Sequence, residues 1–133
     1  MARTALAIEE AAPEPPPIVA GDALKELPGV IRRLAGDAVP CVLTTWAFAY
    51  LSVEEREAFV AMLDQLGGER PLAWISAEGP EIVDLFELVD PPSVDGTLAN
   101  VLGAVLFTGE GREPTLLGYA HAHGEWLDWR AVV

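Results

Sequence analysis

The hydrophobic pattern alternates between two rhythms. In some short runs nearly every position is apolar; in longer stretches apolar residues recur every three or four positions. Val39 to Ala47 (Val-Pro-Cys-Val-Leu-Thr-Thr-Trp-Ala) and Pro71 to Ser76 (Pro-Leu-Ala-Trp-Ile-Ser) are of the first kind. Such runs suit strands covered on both faces, as in a parallel sheet. Between them, Phe59, Val60, Leu63 and Leu66 fall at helical spacing and form one apolar stripe. Ser52 and Glu55 make the S-x-x-E pattern of a capping box, in which each side chain satisfies the other residue's backbone amide. Glu54, Glu55 and Glu57 put negative charge at the positive end of the helix dipole, and Gly67-Gly68 is the expected stop. Residues 39–47, 52–66 and 71–76 thus predict a strand–helix–strand unit closed by a right-handed parallel crossover.

The flanking segments extend this reading. Residues 3–12 favour a helix by propensity, and Pro13-Glu-Pro-Pro-Pro17 stops it. Ile18-Val19-Ala20 reads as a very short strand and Gly21-Asp22 as a turn. Asp22 suits the N-cap of a helix over 23–35, interrupted at Pro28-Gly29 and ended by Gly36. Residues 78–96 hold Pro80, Pro91, Pro92 and a series of acids, and predict a loop with one short helical turn at 81–87. Strands over 98–108 and 115–121, joined through Gly109 to Pro114, predict an antiparallel hairpin. The organisation expected is an N-terminal helix and Pro-rich connector (1–17), then one α/β domain (18–133). Its sheet would be parallel, ending in an antiparallel C-terminal hairpin. No internal repeat is visible.

Composition narrows the function classes. Eight basic and twenty-one acidic residues give a formal net charge of −13. That balance disfavours nucleic acid and anionic membranes as partners and leaves a cationic ligand or basic partner open. Cys41 is the only cysteine, so no internal disulfide can form, and its apolar surroundings predict burial. Glu9, Glu10 and Pro13 to Pro17 break the N-terminal apolar stretch, and no segment approaches the roughly 20 apolar residues of a membrane span. A cytoplasmic location is the expectation. No G-x-S-x-G elbow, P-loop, H-E-x-x-H or C-x-x-C motif is present.

Candidate chemistry then lies at strand ends, because ligands of open parallel sheets bind beyond the carboxyl ends of the strands. Three such ends are Asp22-Ala23, the Thr44-Thr45-Trp46 group and Glu78. Asp22 is equally an N-cap. Thr45 and Trp46 could line a substrate or simply pack the strand end. Glu78 could act as a general base in a pocket that raises its pKa, or be one solvated carboxylate of the acidic loop. His121 and His123, the only histidines, sit two apart on a predicted strand and so face one side. They could grip one edge of a metal ion, but zinc needs three or four ligands; no third is indicated locally, though Asp128 or Glu125 could fold back, and no metal is expected. The other readings are catalytic histidines, or structural ones beside a turn at Gly124 that docks Trp126 and Trp129.

Two resemblances add to this. Ile18-Val-Ala-Gly-Asp-Ala-Leu24 and Val42-Leu-Thr-Thr-Trp46 resemble the third and fourth strands of a class I S-adenosylmethionine (SAM)-dependent methyltransferase, a Rossmann-like fold. More narrowly, Pro15 to Leu24, Cys41 to Trp46, Tyr50 to Arg56, Arg70 to Gly79 and above all His121-Ala-His-Gly-Glu-Trp-Leu-Asp-Trp129 resemble the C-terminal part of DUF2332, a bacterial family common in actinobacteria. The resemblance implies a three-layer, methyltransferase-like sheet whose cofactor-gripping first strand and glycine-rich turn would lie upstream of Met1. It places Asp22 and Ala23 near an adenine, and Thr45 and Trp46 on the substrate side. No G-x-G-x-x-G occurs in the chain, so SAM is expected only in a longer relative. The chain alone is expected to be catalytically incompetent. One alternative is a module that homodimerises through the exposed edge of the 39–47 strand. Another is a small enzyme using His121, His123 and Glu78.

Overall fold

A computed structural model describes residues 2–34, 36–94 and 97–131. Helices α1 (Ala2–Ala11) and α2 (Ala23–Arg33) precede strand β1 (Cys41–Thr45). A 3-10 turn over Phe48–Tyr50 leads into α3 (Val53–Glu69) and β2 (Leu72–Glu78). The chain then passes through the short strands β3 (Ser93–Val94) and β4 (Thr97–Leu98). It ends with β5 (Asn100–Thr108), β6 (Gly111–Ala120) and β7 (Leu127–Trp129). One open sheet carries β1, β2, β5, β6 and β7 in that spatial order. Only β1 and β2 are parallel; the other pairings of this sheet are antiparallel. The fold is mixed α/β with a mostly antiparallel sheet, rather than the largely parallel one the apolar runs suggested. The cause lies after β2. The 79–99 segment returns the chain to the end of β2 it has just left, pairing Glu78 with Val101, so β5 must run back. Apolar continuity reports burial, not direction.

The strand–helix–strand unit is present, and α3 lies against one sheet face. Phe59, Leu63 and Leu66 of α3 are buried with Leu72 and Trp74 of β2 and with Val101, Val105 and Phe107 of β5. Trp74 is the hub. Its ring centroid lies 5.0 Å from Phe48 and 5.6 Å from Phe59, and those two meet edge-to-face at 4.9 Å. Its indole N–H donates to Thr44 Oγ1 at 3.0 Å, so the one polar atom of the hub is satisfied inside the core. The capping box forms as read: Glu55 N–H donates to Ser52 Oγ and Ser52 N–H to Glu55 Oε2. The helix does not stop at Gly67-Gly68, however. Gly67 faces Phe107, whose Cβ would stand 2.5 Å from any Cβ added there. The glycine permits close helix–sheet approach rather than ending the helix.

No described helix or segment covers the opposite sheet face around Leu43. Leu43, Ile75 and Leu106 alternate out of phase with the buried set and are 66, 37 and 41% exposed. Cys41 is exposed beside them, not buried. The two-sided cover and third layer expected of the 39–47 run are not found among the described residues.

Other departures are local. Ile18-Val19-Ala20 forms no strand, and Ile18 is 92% exposed; three residues after five with four prolines find no partner. α2 runs through Pro28, which costs one ladder bond, while Leu24, Leu27 and Ile31 hold the helix against the core. No helical turn forms at 81–87, where Ile82, Val83, Leu85 and Phe86 instead pack down on the core. β6 begins at Gly111, so Gly109-Glu110 alone turns the hairpin and Pro114 sits within the strand, where β6 has no outer neighbour. No described helix is long and apolar enough to cross a membrane.

Two expectations follow. A Cβ at Gly103 would lie 2.0 Å from the Phe86 ring. Gly103→Ala should therefore cost about 1–3 kcal/mol in urea denaturation, and less in a Phe86→Leu background, where the space exists. Separately, α2 is tied to α3 by Arg32 Nε donating to Glu69 Oε2 at 2.8 Å, which holds the Glu69 carboxyl below the ordinary carboxylate range. A depressed folded value means the pair stabilises above the unfolded pKa and loses that contribution as pH falls through the folded one. NMR titration should show the Glu69 pKa rising toward its ordinary value in Arg32→Gln.

Candidate functional site

The only parallel pair of the sheet ends at Thr45 and Glu78, and its carboxyl ends form the most constrained corner of the molecule. Trp46 follows β1 with φ +54°, a left-handed conformation uncommon for a bulky side chain. Ala47 then returns to the right-handed region at φ −89°, ψ −36°. A left–right succession turns consecutive backbone N–H groups to one side, making an anion-binding concavity. Glu78 fills it. Its Oε1 accepts from Ala47 N–H at 3.1 Å and from Phe48 N–H at 3.3 Å, while Trp46 N–H donates to Ala77 O at 3.2 Å. Glu78 is 1% exposed, and Oε2 is buried with no hydrogen-bond partner among the described residues. It is thus the last residue of a strand facing inward, not a solvated carboxylate of the acidic loop. Sequence spacing missed this because β2 runs two residues beyond the apolar run.

Thr45 and Trp46 are brought beside Glu78, both exposed; Thr44 faces inward and holds the Trp74 indole. Asp22 is elsewhere. It caps α2, accepting from Leu24 N–H at 2.9 Å, with Lys25 Nζ 3.5 Å from its other oxygen. Ala23 is the first residue of α2 and is exposed.

The histidines stand in a turn rather than on a strand, since β6 ends at Ala120. Gly124 N–H donates to His121 O, His121 N–H donates to Trp126 O, and Gly124 takes φ +74° to close the turn. The His121 ring centroid is 5.7 Å from His123 and 6.0 Å from Trp126. Trp126 is half-buried against the core, whereas Trp129 is 52% exposed. Glu78 stands opposite Val101 and, across β5, two strand spacings from Tyr119, roughly 10 Å, and His121 lies two residues farther along the chain. Glu78 turns to the β1 side and the His121 ring to Trp126, so the three residues do not converge. Among the described residues no group of three or more His, Cys, Asp or Glu side chains is placed to hold a metal.

A second polar constellation escaped sequence reasoning. The Tyr119 hydroxyl donates to Val89 O and accepts from Val89 N–H, both at 3.0 Å. Arg130 lies over the Tyr119 ring at 4.7 Å and donates to Val89 O, to Asp90 O and to the Asp128 carboxylate. The Asp128 hydrogen bonds raise the guanidinium pKa above its ordinary value. The signal was present: a buried tyrosine needs a partner for its hydroxyl. Nothing local named Val89.

A family model described as "Uncharacterized protein conserved in bacteria (DUF2332)" matches residues 1–129. No curated protein and no solved structure matches.

Replacing Glu78 by Ala removes the acceptor of two backbone N–H groups, that of buried Phe48 and that of Ala47 at the surface. Equilibrium unfolding should show a loss of about 1–3 kcal/mol, set by the Phe48 amide left unsatisfied in the interior, and amide exchange should accelerate selectively at Ala47 and Phe48.

Proposed function

The chain belongs to the DUF2332 family of bacterial proteins, and from that premise we propose that it is an assembly module that pairs with a second copy of itself through β1. One observation carries the reading: β1 is an edge strand, and among the described residues nothing covers it or prevents pairing. The parallel ladder directs alternate backbone groups of β1 toward β2, as in Ala73 N–H to Pro40 O and Trp46 N–H to Ala77 O. The N–H and C=O groups of Cys41, Leu43 and Thr45 therefore point away from the sheet. Their side chains are exposed as well. Natural edges are protected by charges, bulges or covering segments. Residues 39–47 contain no charged residue, and residues 18–20, which could have covered the edge, form no strand. A two-fold axis through this edge would align the two β1 strands antiparallel and extend the sheet continuously across the dimer.

A second reading keeps the Rossmann-like, methyltransferase-like relation and treats the chain as a domain that catalyses nothing alone. It is favoured by the β1–α3–β2 parallel unit, whose strand ends gather Trp46 and Glu78 on one side, and by the antiparallel strands that follow. On this reading SAM is not bound by the chain itself, and calorimetry should show no heat of binding.

The dimer is tested by size-exclusion chromatography with light scattering. The wild-type chain should approach twice the monomer mass as concentration rises. Leu43→Lys, which puts a buried charge in the paired edge, should stay monomeric with unchanged far-ultraviolet circular dichroism. A wild-type chain that remains monomeric at the highest concentration reached overturns the proposal.

A further inference from the structure

A groove of about 490 Å³ opens on the α3 side of the molecule, away from both the β1 edge and the opposite sheet face. One wall is the α3 stripe Val53, Arg56, Val60 and Asp64, whose spacing spans about 16 Å of helix. The other wall is the 81–85 segment, and Phe48 and Trp74 lie at the base. The volume is that of a small-molecule site, and the base and walls are mainly apolar, as such sites are.

The charges around it are unequally committed. Of the two cations on the groove, Arg112 is ion-paired, its Nη1 bonding Asp64 Oδ2 at 3.0 Å, and Arg56 is held by its Nε donating to the neutral Phe48 O at 3.0 Å, with no carboxylate partner among the described residues. The α3 N-terminus, which would otherwise attract an anion, is closed by its own Ser52 and Glu55. Three carboxylates on the rim, Glu57, Glu81 and Asp84, are exposed and have no ion-pair partner among the described residues. An apolar trough with three unpaired carboxylates against the single unpaired guanidinium of Arg56 carries an excess of negative charge, and complements a molecule with an apolar body and an amine.

We propose that this groove is a binding site for small amphipathic amines: the apolar body lies along α3 over Phe48 and Trp74, and the ammonium group meets Glu57, Glu81 and Asp84. Anionic ligands are disfavoured by the same carboxylates.

The test is a nitrogen–proton NMR titration of the whole chain with three probes of one shape: phenylbutylamine, phenylbutanol and phenylbutyrate. The amine should give saturable shifts confined to residues 53–64, 81–85 and their neighbours. It should bind about tenfold more tightly than the carboxylate, as a charge reversal beside exposed carboxylates would give at low salt. Glu57→Gln, Glu81→Gln and Asp84→Asn together, all three exposed, should erase that preference while leaving the spectrum of the rest of the chain unchanged. Val60→Trp, which fills the groove, should abolish the shifts; should it fail to fold, the charge variant still decides. Equal or tighter binding of phenylbutyrate, amine shifts that do not saturate or fall outside the groove, or an amine preference that survives the charge variant overturns the proposal.

Discussion

The packing of Trp74 is the constraint on which the other elements depend. It sits at the middle of β2, is fully buried, and touches the turn after β1 through Phe48 and α3 through Phe59. Its one hydrogen bond goes to Thr44 of β1. A single side chain thus fixes the β1–β2 register, the depth of α3 and the position of the 3-10 turn. The parallel pair needs such a lock, because two strands without a shared hairpin have no local turn to set their alignment. Glu78 adds a polar counterpart four residues on, tying the same turn to the end of the same strand.

What the sequence made legible follows the range of the interactions involved. The Ser52–Glu55 cap, the α3 stripe and the C-terminal hairpin are encoded within a few residues, and all are present. The direction of β5, the exposure of Cys41 and the missing strand at 18–20 depend on which segments find partners across the chain. Apolar content alone does not decide that. Gly67 shows the same limit at one position, because a glycine that ends helices and a glycine that admits Phe107 look alike in sequence. At the candidate site, the adjacency of Thr45, Trp46 and Glu78 could be read from the strand–helix–strand order. The left-handed Trp46 and the backbone concavity that Glu78 fills could not, since they arise from a tertiary contact across 31 residues.

The two faces of the sheet divide the surface into regions of different character. The α3 face is closed over β2 and β5 by aromatic and aliphatic packing and then rimmed by carboxylates. The other face and the β1 edge are apolar and uncharged around Leu43. A net charge of −13 is therefore not spread evenly. Charge repulsion between copies acts least along β1, where the backbone is open, and most near α3 and the 81–90 segment.

The double hydrogen bond between Tyr119 and Val89 joins residues 30 apart, with the whole of β5 between them. As the chain leaves the ribosome, β1, α3 and β2 can associate from sequence already synthesised. The polar anchorage of the 79–92 segment cannot form then: Tyr119 belongs to β6, and the clamp, Arg130, comes later still. That segment can lay Phe86 on β5 at Gly103 as soon as β5 is made, but its far end, at Val89 and Asp90, is tied down only once Tyr119 and Arg130 have emerged.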